Sequence, residues 1–230
     1  MPKIILIETS TSLCSAALAI DGKIVSRRES SEPRAHAAMT APYVAEVLQE
    51  QGLKVSDCDA VCVSAGPGSY TGLRVGSSTA KGLCFAAGIP LLAVGTLDIL
   101  VWQAIEGGLL PEGCRYIIPM IDARRMEVYS AVYSAAGERL TEIAPSVIDG
   151  SSFAKERAGG PVLFIGDGAG KCADILAAEG SSFVQACPRA DAMLTPALRE
   201  YNEKRFKDTA YFEPFYLKDF VATVSSKKLF

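Results

Sequence analysis

One motif is written twice in this chain. Ile5-Leu6-Ile7-Glu8-Thr9-Ser10-Thr11, running on through Ser15 to Lys23, is echoed by Pro119-Met120-Ile121-Asp122-Ala123-Arg124-Arg125, running on through Ser130 to Glu138. Each copy is an apolar run, an acid, a small or polar turn, an alternating strand and a glycine turn. The copies open the two halves of a 230-residue chain, which is how a duplicated domain is written.

The rest of the chain is consistent with two such halves. In the first, strands over 4–8, 14–20 and 23–29 are expected to meander, the last two joined at Asp21-Gly22. Apolar residues at helical spacing from Ala37 to Leu48 predict a helix over 34–51, bent near Pro42 and stopped at Gly52. A buried strand over 59–64 leads through a glycine-rich passage into a thin helix over 71–87, followed by a strand over 91–94 and a helix over 97–106. Gly107 to Gly113 is the best boundary and divides the chain into domains 1–112 and 113–230. The second half repeats a meander over 116–148, then a helix within 151–160, a strand over 162–165, a helix over 169–178, a strand over 183–187 and a last helix through Arg205. The last helix or the tail is free to return to the first domain. The fold class is therefore α/β, with mixed sheets flanked by helices and two halves facing across a cleft.

Composition narrows the function. Hydrophobic residues make up 49% of the chain, enough for one or two cores. The net charge of −3 disfavours independent binding to a polyanion. Arg27-Arg28, Arg124-Arg125 and Lys227-Lys228 read as solvated edges. No apolar run approaches the roughly 20 residues that span a bilayer, and an acid follows the first apolar residues too soon for a signal peptide. A cytoplasmic protein without membrane contact is expected. Seven cysteines, an odd number among apolar neighbours, read as free thiols, and one histidine cannot build a zinc site or a catalytic triad. That histidine, His36, is expected at a surface or boundary near the start of its helix.

Four places could carry chemistry. The turn Glu8, Thr9, Ser10, Thr11 and the later turn holding Gly166 and Gly168 have the small or hydroxyl residues that let backbone approach phosphate, so they are candidate nucleotide contacts. The loop of Gly66, Pro67, Gly68 and Gly72 lacks the lysine of a phosphate-binding P-loop and reads as a structural elbow. Asp122, Arg124, Arg125 and Glu127 read as a self-satisfied salt-bridge cluster.

Together the segments Ile7 to Leu18, Ser64 to Arg74 and Ile121 to Tyr129 resemble the TsaB (YeaZ) family of bacterial tRNA threonylcarbamoyladenosine biosynthesis proteins, closely in the first half and loosely in the second. The resemblance implies two tandem domains of the ASKHA type (actin, Hsc70 and sugar kinases, ribonuclease H-like). It implies a non-catalytic subunit that binds the paralogue TsaD and, with TsaE, supports threonylcarbamoyl transfer to the adenosine beside the tRNA anticodon. TsaC would act only through its threonylcarbamoyl-adenylate product, and tRNA would be met only through the complex. The two metal-binding histidines of TsaD fall on Thr96 and Leu100, so no metal and no catalytic residue are expected. No intrinsic cofactor is implied; ATP or ADP is expected, if at all, in a pocket shared with TsaD. The helices over 34–51 and 71–87 are implied to pair with TsaD, or with a second copy in a homodimer, through His36, Thr40, Val44, Val47, Thr71, Leu73, Gly76, Ala80 and Leu83. The competing reading is a nucleotide-binding ATPase or small-molecule kinase of the same superfamily, resting on Glu8, Asp122 and the glycine turns.

Overall fold

In the computed structural model, which describes residues 2–33 and 35–217, the apolar run opening each half becomes the central strand of a sheet. β1 (Lys3–Glu8) pairs antiparallel with β2 (Cys14–Ile20) and parallel with β4 (Ala60–Ser64). β3 (Lys23–Ser30) and β5 (Leu91–Val94) complete the order β3-β2-β1-β4-β5. β1, β4 and β5 read as continuous apolar runs because both of their faces are covered. The edge strand β3 keeps an alternating, exposed pattern.

The second sheet repeats the plan. β6 (Tyr116–Asp122) lies between antiparallel β7 (Glu127–Ser130) and parallel β10 (Val162–Gly166), with β9 (Ala144–Val147) and β11 (Ser181–Gln185) at the edges, in the order β11-β10-β6-β7-β9. Antiparallel strands on one side of the centre and parallel strands on the other is the arrangement of the first sheet. One element departs from the echo. The alternating strand expected after Ser130 is interrupted, and only the two-residue β8 (Tyr133–Ser134) resumes pairing with β6. The Val132 N–H is taken by the Thr141 hydroxyl at 2.9 Å instead of joining a ladder.

Among the described residues six α-helices cover the sheets. α1 (Ala35–Gln49) and α2 (Tyr70–Ala87) pack on one face of the first, where Ile5, Ile7, Val61 and Val63 meet Val44, Val47 and Ala80. The strands' alternate residues Ile4, Leu6 and Cys62 point to the other face. α2 is closed by the Ser69 side chain, which accepts the Gly72 N–H, and by Gly88 in the left-handed region. α3 (Thr96–Glu106) leaves the first sheet and sends Leu97, Leu100 and Val101 into the core under the second, against Ile117, Leu163 and Ile165. Residues 190–193 form a 3-10 turn and α6 (Leu194–Asn202) follows; Met193 and Ala197 there pack against the first sheet. Each half thus lends a segment to the other. The short α4 (Ala154–Gly159) and α5 (Ala169–Leu176) complete the second half.

The last helix ends at Asn202, three residues earlier than expected, because Lys204 takes a left-handed turn. Beyond it the chain runs along the first domain. The Lys207 N–H donates to the Leu91 carbonyl, Lys81 Nζ holds the carbonyls of Ala210 and Phe212, and the Phe215 N–H donates to the Ala65 carbonyl. The Lys227-Lys228 pair lies outside the described residues. Among the described residues no helix is long and apolar enough to cross a membrane, and the seven cysteines are free thiols.

Candidate functional site

The turn after β1 is built inward. Glu8 is fully buried, and one carboxylate oxygen accepts the Ser10 N–H. Burial pushes its carboxyl up to about 7 against the opposing hydrogen bond from the Ser10 N–H, with Asp167 adding a little more. Thr9 donates its hydroxyl to the Gly72 carbonyl at 2.8 Å. The other Glu8 oxygen and the hydroxyls of Ser10 and Thr11 are buried without a hydrogen-bond partner.

The glycine loop is pressed onto this turn. The Ser69 N–H donates to the Ser10 carbonyl at 2.7 Å. A Cβ on Gly68 would strike that same carbonyl, one on Gly72 the Thr9 carbonyl, and one on Gly76 the Thr9 hydroxyl. Gly66 faces the tail, since a Cβ there would lie 2.7 Å from the Phe215 oxygen. These glycines permit close backbone approach, as a structural elbow requires.

Between the sheets lies a cleft of about 1080 Å³. Ser10, Thr11, Ser69 and Thr71 line one wall; Asp122, Arg124, Arg125 and Asp167 line the other; His36, partly buried in the first turn of α1, and Tyr216 stand at its edge. Of the six expected nucleotide contacts, Ser10 and Thr11 therefore face the cleft, and Glu8 and Thr9 sit behind them. Gly166 and Gly168 serve packing: a Cβ on Gly166 would strike the Met120 carbonyl, and one on Gly168 would lie 2.9 Å from Val128 Cγ1. Asp167, between them, reaches the cleft wall and accepts the Asp122 N–H at 2.8 Å.

The charged cluster is not self-satisfied as the sequence suggested. Asp122 pairs with Lys171 of α5 and accepts the Arg124 N–H at 2.7 Å, and Lys171 also donates to the Glu127 carbonyl at 2.7 Å. The turn carries Arg124 and Arg125 past that carboxylate with φ of 72° and 50°. Among the described residues neither guanidinium has an ion-pair partner. The Arg27-Arg28 pair, by contrast, is tied down, Arg27 to Asp191 and Arg28 to Glu46 and Glu50.

The contact residues expected on α1 and α2 need correction. Thr40, Val44, Val47, Leu73, Gly76 and Ala80 are buried in the chain's own core. They face inward because the thin side of α2 lies on β4 and on the β1 turn, with Gly76 against Thr9 and Val63. Thr71 is exposed, and His36 and Leu83 are half-buried. The outward face consists instead of Ala37, Ala38, Ala41 and Ala45 on α1 and of Arg74, Ser78, Gly82 and Phe85 on α2, with Phe85 86% exposed. A groove of about 540 Å³ runs along it, lined by Ala37, Thr71, Arg74 and Val75 among others. The same helical period writes both faces of each helix, so the sequence signalled the helices without distinguishing the two; an aromatic amid small residues, Phe85, was the available clue.

Comparison with known proteins agrees with this architecture. The family model of TsaD, the tRNA N6-adenosine threonylcarbamoyltransferase, matches residues 23–225. The tRNA threonylcarbamoyladenosine biosynthesis protein TsaB of Escherichia coli (strain K12) is 29% identical over 233 residues, covering 96% of each chain. TsaB of Bacillus subtilis (strain 168) is 30% identical over 167 residues, covering 71% of this chain and 70% of that one. The solved structure of YeaZ from Pseudomonas aeruginosa matches with a TM-score of 0.80 at 28% identity, over 94% of this chain and 100% of that one. The fold is accordingly that of YeaZ. Matched by the TsaD family model over most of its length and by a TsaB relative almost end to end, the chain belongs to the TsaD family and, within it, to the TsaB (YeaZ) proteins.

Proposed function

We propose that this protein is a non-catalytic subunit of the bacterial tRNA threonylcarbamoyladenosine machinery, docking on TsaD through the outward face of α1 and α2. The observation that carries the reading is that face: four alanines, Gly82 and a nearly fully exposed Phe85 on two packed helices. Leaving an aromatic of that size in water forgoes roughly 2 kcal/mol that a partner surface would recover. Small residues around it let a second helix pair approach closely. TsaD is the fitting partner because a paralogue with the same duplicated fold presents equivalent helices. TsaE would join the pair, TsaC would supply threonylcarbamoyl-adenylate, and tRNA would be met through the assembly.

The non-catalytic part of the reading is supported by α3. The positions aligned with the histidines of TsaD, Thr96 and Leu100, are both fully buried, and Leu100 packs in the core beneath the second sheet. A metal ligand there would have to displace core packing.

The test is direct. Mixed with TsaD at micromolar concentration, the wild-type chain should co-elute with it on size exclusion, and it should restore tRNA modification to purified TsaC, TsaD and TsaE. Phe85→Asp, on an exposed position, should fold with an unchanged melting temperature yet elute apart from TsaD. Separate elution of the wild-type chain and TsaD would overturn the assignment; normal co-elution of the variant would overturn the choice of face.

A further inference from the structure

A second concavity lies apart from the cleft. It is a groove of about 610 Å³ between the edge strand β3, the last turn of α3 and residues 189–194, and none of its lining residues belongs to the cleft wall or to the outward face of α1 and α2. Gln103 lines this groove although the residue is only 7% exposed. Its Nε2 donates to the Cys187 carbonyl at 3.2 Å, which fixes the amide, and its Oε1 is left buried with no donor. A buried acceptor in that state carries an uncompensated desolvation cost. Glu106 follows three residues later on the same side of the helix and also lines the groove, with one carboxylate oxygen accepting the Thr195 hydroxyl. The partial negative charge at the C-terminal end of α3, capped at Gly107, adds to both. This part of the groove calls for a donor that carries positive charge.

The rest of the lining carries the opposite sign. Arg27 of β3 and Arg189 converge on Asp191, at 2.6 and 3.0 Å. Two guanidiniums thus share one carboxylate, and among the described residues neither side chain makes a further hydrogen bond. One positive charge is left over, with N–H donors in the fork that suits a carboxylate. We infer that this groove binds a free α-amino acid with an aliphatic side chain, its carboxylate on Arg27 and Arg189 and its ammonium on Gln103 Oε1 and Glu106. The charged lining is balanced, two arginines against Asp191 and Glu106. A simple anion or cation would therefore meet one matching and one opposing partner, whereas a zwitterion satisfies both. Ile24, Val25 and Leu194 add the apolar surface on which the side chain would rest.

The measurement is isothermal titration of the full-length chain, alone, with L-valine and L-leucine, with the amines that lack their carboxylate, and with the 2-hydroxy acids that carry a hydroxyl in place of their ammonium. The better-bound amino acid should saturate the chain at millimolar concentration and bind at least tenfold more tightly than either of its analogues. Arg189→Ala should lower that affinity tenfold or more. Glu106→Gln keeps the shape of the side chain and should lower it at least fivefold while changing the affinity for the 2-hydroxy acid less than twofold. Arg189 is partly exposed and Glu106 exposed, so both variants should fold. The proposal falls if neither amino acid binds at millimolar concentration, if an analogue binds as tightly as its amino acid, if Arg189→Ala binds normally, or if Glu106→Gln affects the amino acid and the hydroxy acid alike. The titration uses the isolated chain and a groove outside the docking face, so its failure is distinguishable from failure of the docking on TsaD, which is read from complex formation.

Discussion

Glu8 shows what one residue does when its site is sealed. The β1 turn buries the carboxyl completely, gives one oxygen the Ser10 N–H and leaves the other unpaired. Desolvation then dominates, and the acid that titrates near 4.5 in a free chain titrates at about 7 here. A folded pKa above the unfolded one means the folded state holds the proton more tightly between those values. The stabilisation is complete below about pH 4.5 and is lost as pH rises through 7, a fall of about 3 kcal/mol at most. Glu8→Gln keeps the shape and removes the titration. Denaturant unfolding of the two proteins from pH 5 to pH 8 should show the difference in their stabilities shifting toward the glutamine variant as pH rises. A difference independent of pH would mean that the carboxylate is solvated.

At the scale of elements, α2 separates what the sequence could and could not say. Its end and its thinness were legible, since Gly88 closes it and the run of glycine, serine and alanine admits close packing, whereas the Ser69 cap at its start emerged only in the fold. The duplication was legible too, because an apolar run followed by an acid and a turn survived in both copies. The orientation of the helix was not legible, since a 3.6-residue period marks two faces and only tertiary contact decides which is inner. The glycines make the decision measurable. Gly76→Ala places a methyl into the Thr9 hydroxyl, inside a turn fixed by its hydrogen bond to Gly72, and should cost about 2 kcal/mol. Gly82→Ala meets nothing within 4 Å and should gain up to about 1 kcal/mol from helix propensity. Thermal or denaturant unfolding of the two variants checks the assignment; equal effects would mean that the helix is rotated from the orientation described. The broken strand after Ser130 and the pairing of Asp122 away from Arg124 and Arg125 escaped the sequence for a related reason. Both depend on a partner distant in the chain, Thr141 in one case and Lys171 in the other.

At the scale of the molecule, the exchange of segments between halves governs how the chain should unfold. α3 leaves the first sheet to complete the second core, and residues 190–202 return to complete the first. The Tyr133 hydroxyl donates to Asp98 of α3 at 2.8 Å, tying the second half to a helix encoded in the first. Neither half can therefore lose its packing without exposing apolar surface of the other, and one cooperative transition is expected in place of two. The single tryptophan is placed to report it. Trp102 lies on α3 with the Arg199 guanidinium 5.5 Å from its ring centroid, and a Cβ on Gly137 would lie 3.4 Å from the ring. Its fluorescence thus senses α3, α6 and the second half at once. Thermal melts followed by Trp102 fluorescence and by far-ultraviolet circular dichroism should coincide. Leu100→Ala, opening a cavity in the shared core, should cost about 2–5 kcal/mol and lower both curves together. If the variant instead splits the two probes into separate transitions, the halves are stabilised independently, and α3 is a linker between them, not part of a common core.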